Sequence, residues 1–252
     1  MVDSALSDKN YKSAPITEAV IGINFAAPIN EADIQTIIKK FRTNYPELQT
    51  VTNNILSVNV GSDQDSKLTA GINKSIGHRL TTSDLSQLLL LWPTSFTISQ
   101  LAPYTSWENF LARFIRDWNL LRKITGFQEI KRIGVRYINR IDIPPNNGVF
   151  EYEKFLNIYP KMPQLLNVLE QYAMQTISYL KDIDCHLNLN TANISSPLLD
   201  HGSFVIDQDI YKETDPPQSD KDIMALLNNI RNQKNLIFES CITDEARALF
   251  NQ

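Results

Sequence analysis

The sequence predicts an α+β protein of two similar halves, each running strand, helix, several strands, helix. The sheet is mostly antiparallel and the helices pack on one face of it. Three observations carry this. From Leu48 to Ala102 the apolar residues recur at period two, the spacing of strands rather than helices. The gaps between these strand-like segments are too short for a parallel crossover, which takes a dozen or more residues. The halves also open on similar phrases, Ile21-Gly22-Ile23-Asn24-Phe25 and Ile133-Gly134-Val135-Arg136-Tyr137, and then repeat one element order. The implied division is a flexible polar arm at 1–13, an N-terminal lobe at 14–127 and a C-terminal lobe at 128–252.

Ala19 to Phe25 reads as a strand, closed by Pro28. A helix follows, with Asn30 as N-cap, Glu31 and Asp33 in its first turn, and Ile34, Ile37, Ile38 and Phe41 as one stripe. Pro46 ends it. Four strands come next, at 55–60, 68–76, 85–92 and 95–101, with Gly61, Gly71, Gly77 and Trp92-Pro93-Thr94 as breaks. Thr105-Ser106-Trp107-Glu108 reads as a capping box. Behind it Trp107, Phe110, Leu111, Phe114, Ile115, Trp118, Leu121 and Ile124 recur at three and four, until Gly126 stops the helix.

Ile130 to Ile143 is a long strand ended by Pro144-Pro145, and Asn146-Asn147-Gly148 is a turn. Glu151–Ile158 and Gln164–Tyr172 read as helical. Residues 175–180, 183–190 and 203–211 read as strands. Ser219 caps a helix with Ile223, Leu226, Leu227 and Ile230 on one stripe, and Thr243-Asp244-Glu245 starts a short last helix.

Composition narrows the function. With 42% hydrophobic and 21% charged residues, the chain can build a packed core. Its longest apolar run, Leu88 to Trp92, is far short of the roughly 18 residues of a membrane span. The polar start at Met1 to Ser13 has no apolar signal-peptide region. Two cysteines are too few for a disulfide framework, so a cytoplasmic, reduced protein is expected. A net charge of −4 argues against indiscriminate nucleic-acid binding.

The most distinctive local feature is basic. Arg132, Arg136 and Arg140 share one face of an extended segment, about 13 Å apart at ~3.3 Å per residue. Guanidinium forks suit phosphate and carboxylate alike, so the stripe fits a phosphate backbone, an acidic partner surface or pairing with carboxylates across the sheet. An acidic set stands opposite it. Asp182 and Asp184, and Asp207 and Asp209, are two apart, and His186 continues the face of Asp184. Asp184, His186, Asp207 and Asp209 could hold a hard cation if their strands adjoin. Neutralisation by the arginines is the favoured account, and no metal and no cofactor is expected.

Cys185 and His186 are neighbours on a strand and point to opposite faces, so they form no dyad. Cys185 shares its face with Ile183, Leu187 and Leu189, as a core thiol does. His78 reads as a surface residue. No Gly-x-Ser-x-Gly, P-loop, dinucleotide fingerprint or His-Glu-x-x-His motif occurs. The aromatic series from Trp92 to Trp118 reads as core first and ligand pocket second.

Several phrases carry a resemblance. They are Ala14-Pro15-Ile16-Thr17-Glu18-Ala19-Val20, Pro103-Tyr104-Thr105-Ser106-Trp107-Glu108-Asn109-Phe110, and Arg132 through Ile141 with its Arg136-Tyr137-Ile138-Asn139-Arg140 core. Val205-Ile206-Asp207-Gln208-Asp209-Ile210-Tyr211 and Phe238-Glu239-Ser240-Cys241-Ile242-Thr243 complete the pattern. Over nearly its whole length the chain resembles a sporadically distributed bacterial family of proteins of this size, whose function is uncharacterised. Patchy occurrence implies horizontal transfer, as in toxin–antitoxin, restriction or phage-defence loci. Gln208 stands where that pattern leads one to expect an apolar residue, which implies a less buried strand.

Together these readings favour a non-catalytic cytoplasmic binding protein, an accessory or neutralising partner of another protein encoded nearby. The candidate binding residues are Arg132, Arg136, Tyr137, Asn139, Arg140, Tyr104, Trp107 and Glu108. Two alternatives stand beside it: a metal-dependent or nucleic-acid-processing module using the aspartate pairs and the arginine stripe, and a small-ligand sensor between the lobes.

Overall fold

The first half of the chain forms β1 (Ile16–Phe25), α1 (Glu31–Phe41), β2 (Glu47–Asn59), β3 (Thr69–Thr81), β4 (Gln87–Trp92), β5 (Ser95–Leu101) and α2 (Trp107–Thr125). The second forms β6 (Ile130–Ile143), β7 (Ala173–Leu180), β8 (Cys185–Ile194), β9 (Gly202–Lys212), α3 (Asp220–Cys241) and α4 (Asp244–Leu249). This computed structural model describes residues 11–59, 69–144, 151–163, 165 and 171–251. The nine strands form one antiparallel sheet in the order β2-β3-β4-β5-β1-β6-β9-β8-β7, so the α+β class stands.

Each half contributes its opening strand to the middle of the sheet and its last strand to that strand's outer side: β5 lies against β1, and β9 against β6. The two similar phrases pair with each other. Gly22 sits opposite Gly134, Ile21 opposite Val135 and Ile23 opposite Ile133. The relation between the halves at this seam is therefore close to a two-fold rotation through the paired glycines.

Alternation along β1 and β6 assigns the two faces. Ala19, Ile21, Ile23 and Phe25 on β1, and Ile133, Val135, Tyr137 and Ile141 on β6, are buried in the same core as the apolar stripes of α1, α2 and α3. The helices thus cover one face. The other carries the even-numbered residues of β6 and stays open to solvent in large part. Most of the α2 stripe is buried as predicted, with Phe114 packed between Phe96 and Trp118, but Ile115 is exposed, since it lies one residue beyond Phe114 and turns off the buried side. Two charged residues share its buried side. Asp117 accepts from Tyr45 at 2.5 Å and from Arg116 at 2.8 Å, and Arg113 donates to the Ser99 carbonyl at 2.8 Å.

Several local expectations need correction. The N-cap of α2 is Ser106, whose hydroxyl accepts from the Asn109 N–H, not Thr105. Gly71 and Gly77 do not break the chain, since β3 runs through both. Gly77 instead makes room for Trp92, whose ring would lie 2.5 Å from any Cβ there. The stretch 151–158 is not an α-helix; only Tyr152–Lys154 forms a single 3₁₀ turn. Gln208 is 0% exposed, so its strand is buried there, and neither amide atom finds a hydrogen-bond partner among the described residues. His78 is half-buried rather than on the surface.

Some expectations lie outside the described residues: the Asn146-Asn147-Gly148 turn, most of a helix at 164–172, and residues 1–10 of the arm. Of the arm's end, Tyr11 donates to Glu239 at 2.6 Å and the Ser13 N–H bonds the Phe250 carbonyl at 2.9 Å. Residues 11–13 therefore lie against α3 and α4. Among the described residues no helix is long and apolar enough to cross a membrane.

Candidate functional site

Both faces of β6 carry candidate residues, and strand alternation separates them. Arg132, Arg136 and Arg140 emerge on the open face, where aspartates meet them. Arg136 grips Asp207 with two parallel bonds, Nε to Oδ1 at 2.7 Å and Nη2 to Oδ2 at 2.6 Å. That pairing raises the guanidinium's pKa further. Arg132 donates to Asp209 at 2.8 Å and lies over the Tyr211 ring at 4.4 Å. Arg140 meets Asp142 at 3.3 Å. Burial raises the Asp209 carboxyl's pKa, and the Arg132 guanidinium works against that rise.

The strands bearing the acidic set do adjoin, with Asn190 opposite Asp207 and Asn188 opposite Asp209. Their carboxylates are nevertheless committed to arginines. Asp184 pairs with Lys212 and accepts from Tyr179, and His186 is flanked by the rings of Tyr179 and Tyr211. Among the described residues no group of three or more His, Cys, Asp or Glu side chains could hold a metal ion. Cys185 and Cys241 are buried, which pushes both thiols up to about 11 and keeps them protonated near neutrality.

The covered face presents Tyr137 and Asn139. Across from them stand Tyr104, Trp107 and Glu108, which lead into and open α2. These five residues, read from two distant stretches of sequence, line one cavity of about 420 Å³. Its remaining wall is α3, with Arg231, Lys234, Asn235, Phe238 and Glu239, and its rim includes Tyr11, Lys12 and Ala14. Trp107 is held by a 2.9 Å bond from its indole N–H to Asn228 on α3. Asn139 is held by a 3.1 Å bond to the Ile206 carbonyl.

Two features set the cavity's electrostatics. Tyr104 and Tyr137 share a 2.8 Å hydroxyl contact, and burial pushes Tyr104 up to about 12 and Tyr137 well above its ordinary value. Both stay protonated at any ordinary pH. Lys234 is only 8% exposed, and its ammonium rests 3.9 Å above the Tyr137 ring. Among the described residues it makes no hydrogen bond and no ion pair. Burial, with the nearby Arg231 charge, brings it down to about 7, against a partial pull upward from Glu239.

Glu239 is itself well held, by Tyr11 and by Arg247 at 2.8 Å. Glu108 accepts from the Ser106 hydroxyl and a backbone N–H, which keeps its carboxyl below the usual range. Among the described residues, the cavity therefore sets satisfied carboxylates beside the unpaired amine of Lys234.

Sequence reasoning missed Lys234, although a signal existed. The buried stripe of α3 runs Ile223, Leu227, Ile230, Lys234, Phe238 and Cys241, so a lysine occupies an apolar position of the pattern.

No family model and no curated protein matches the chain. Among solved structures, a comparison finds the crystal structure of DynU16, a protein of the dynemicin biosynthetic locus. It is 8% identical and aligns over 92% of this chain and 97% of that one, with a TM-score of 0.20. At that score the likeness carries no argument about fold or function.

Proposed function

We propose that this chain is a binding protein for a small molecule held in the cavity between α3, β6 and the start of α2. The supporting observation is Lys234, a buried amine with no hydrogen bond or ion pair among the described residues, facing a cavity of about 420 Å³. Burying an unpaired charge is costly, and packing alone would be better served by methionine or leucine at that position. The volume falls in the usual range for small-ligand sites, and the walls combine aromatic surface with a few convergent polar groups, as such sites do.

The test is a thermal-shift and native mass spectrometry screen of the purified protein against a metabolite library. Wild-type protein should take up a ligand, and Ala14→Trp, which places a ring at the exposed rim, should not. Equal ligand uptake by both proteins would remove the cavity reading.

A second proposal, from the family resemblance, is a role as accessory or neutralising partner of a protein encoded nearby in a toxin–antitoxin or phage-defence locus. The observation that favours it is the edge strand β7, which leaves Ile177 66% and Tyr179 53% exposed at the end of the sheet. Co-expression with neighbouring genes should give a stable complex that Ile177→Lys weakens. Absence of any complex would remove it.

A further inference from the structure

We propose that the ligand of this cavity is a small organic carboxylate with an apolar or aromatic body, and that Lys234 is its counter-ion. The inference rests on the cavity reading above and assigns the ligand's chemistry.

Lys234 is surrounded by charged and polar groups from four parts of the chain. On its own helix, Glu239 is engaged by Tyr11 and Arg247, and Arg231 adds a like charge to the field at Lys234. From the start of α2, Glu108 is satisfied by its helix terminus, and Tyr104 faces in as a neutral hydroxyl. From β6 comes the ring of Tyr137, and from the N-terminal stretch Lys12 lies at the rim. Among the described residues Lys234 is thus a cation without an ion-pair partner, and a ligand in the cavity would supply the negative charge.

One negative charge fits better than two. A dianion such as phosphate would sit beside the Glu108 and Glu239 carboxylates as well as the cations, at a repulsive cost a monoanion halves. A carboxylate also accepts the O–H and N–H donors available here, and its body can lie along Trp107 and Phe238.

Binding then couples to a proton. Near neutrality much of the free protein holds Lys234 as the uncharged amine, and a carboxylate beside it favours the ammonium. The proton taken up comes from solvent. No covalent bond forms and the carboxylate is unchanged.

Benzoate is the probe, with benzamide as its neutral isostere and inorganic phosphate as the dianion arm. Calorimetry in buffers of different ionisation enthalpy should show benzoate binding with proton uptake. Its Kd should rise about tenfold per pH unit above pH 7. Benzamide and phosphate should each bind at least about tenfold more weakly, one ammonium–carboxylate hydrogen bond being worth that much.

Lys234→Met should abolish the proton uptake and weaken benzoate at least about tenfold while the variant melts no lower than wild type. If Lys234→Met proves unstable, Lys234→Gln carries the same test. Benzoate binding that is independent of pH and of Lys234, or no benzoate binding at all, overturns the carboxylate assignment. A neutral or cationic ligand emerging from the library screen would overturn it too and leave the cavity reading intact.

Discussion

The two faces of strand β6 treat cationic side chains in opposite ways. On the open face each arginine has a carboxylate within 3.3 Å, although water is close enough to solvate all of them. On the covered face Lys234 is nearly removed from solvent and, among the described residues, meets an aromatic ring instead of an ion-pair partner. If charge placement served stability alone, the pairing would be the reverse, because a buried unpaired charge costs more than an exposed one. The difference separates a ladder that holds the sheet together from a group kept ready for something outside the chain.

Four measurements sharpen or break this contrast, in order of expected effect. The covered face owes its stability to apolar packing, so Phe114→Ala should cost about 3–5 kcal/mol in denaturant melts. A loss under 1 kcal/mol would mean the α2 stripe does not pack as described.

The second is pH dependence. Lys234 sits at about 7 in the folded chain, against an ordinary value of 10.5. Above pH 7 the unfolded chain holds the extra proton, so folding stability rises with pH, by at most about 1.4 kcal/mol per unit. Cys185 and Cys241, raised to about 11, act in the opposite direction once pH passes about 9, which leaves pH 7 to 9 as the clean window. Lys234→Met should flatten that rise, and parallel curves for the two proteins would place a hidden counter-ion beside Lys234.

Third, Asp207→Asn removes the charge gripped by Arg136, to which the Asn190 amide also donates. Because Arg136 is half-exposed, the expected loss is about 1–2 kcal/mol rather than the full cost of breaking a buried pair. Last, Arg140→Ala should cost under about 1 kcal/mol, its contact with Asp142 being long and partly solvated. A larger effect from Arg140 than from Asp207 would invert the account of the open face.

How far these features were legible depended on periodicity. The α2 helix could be read because its stripe is long and aromatic, and the antiparallel run from β2 to β5 because its short gaps leave no room for crossovers. The cap of α2 was misplaced by one residue because Thr105 and Ser106 are chemically equivalent candidates, and only backbone geometry chooses between them. The residues at 151–158 have helical spacing, yet Leu156 pairs with Ile242 in an isolated bridge, a tertiary contact that local pattern does not report.

In the Arg136-Tyr137-Ile138-Asn139-Arg140 phrase, parity along the strand already separates the tyrosine and asparagine from the arginines. It does not say which face the helices cover. Lys234 escaped because the α3 stripe was followed only to Ile230, one turn short of the lysine that interrupts it.

The glycine-centred seam has a consequence for synthesis on the ribosome. β1 pairs with β5 on one side and β6 on the other, and β6 is made some hundred residues after β1. Until β6 emerges, the nascent N-terminal half presents β1 as an edge strand with a full row of unpaired N–H and C=O groups. That edge is close to self-complementary, since its partner at the seam carries nearly its own phrase in antiparallel register. A second copy of β1 laid on that edge in the same antiparallel register would again set glycine opposite glycine, and β6 closes the edge to it once the seam is paired.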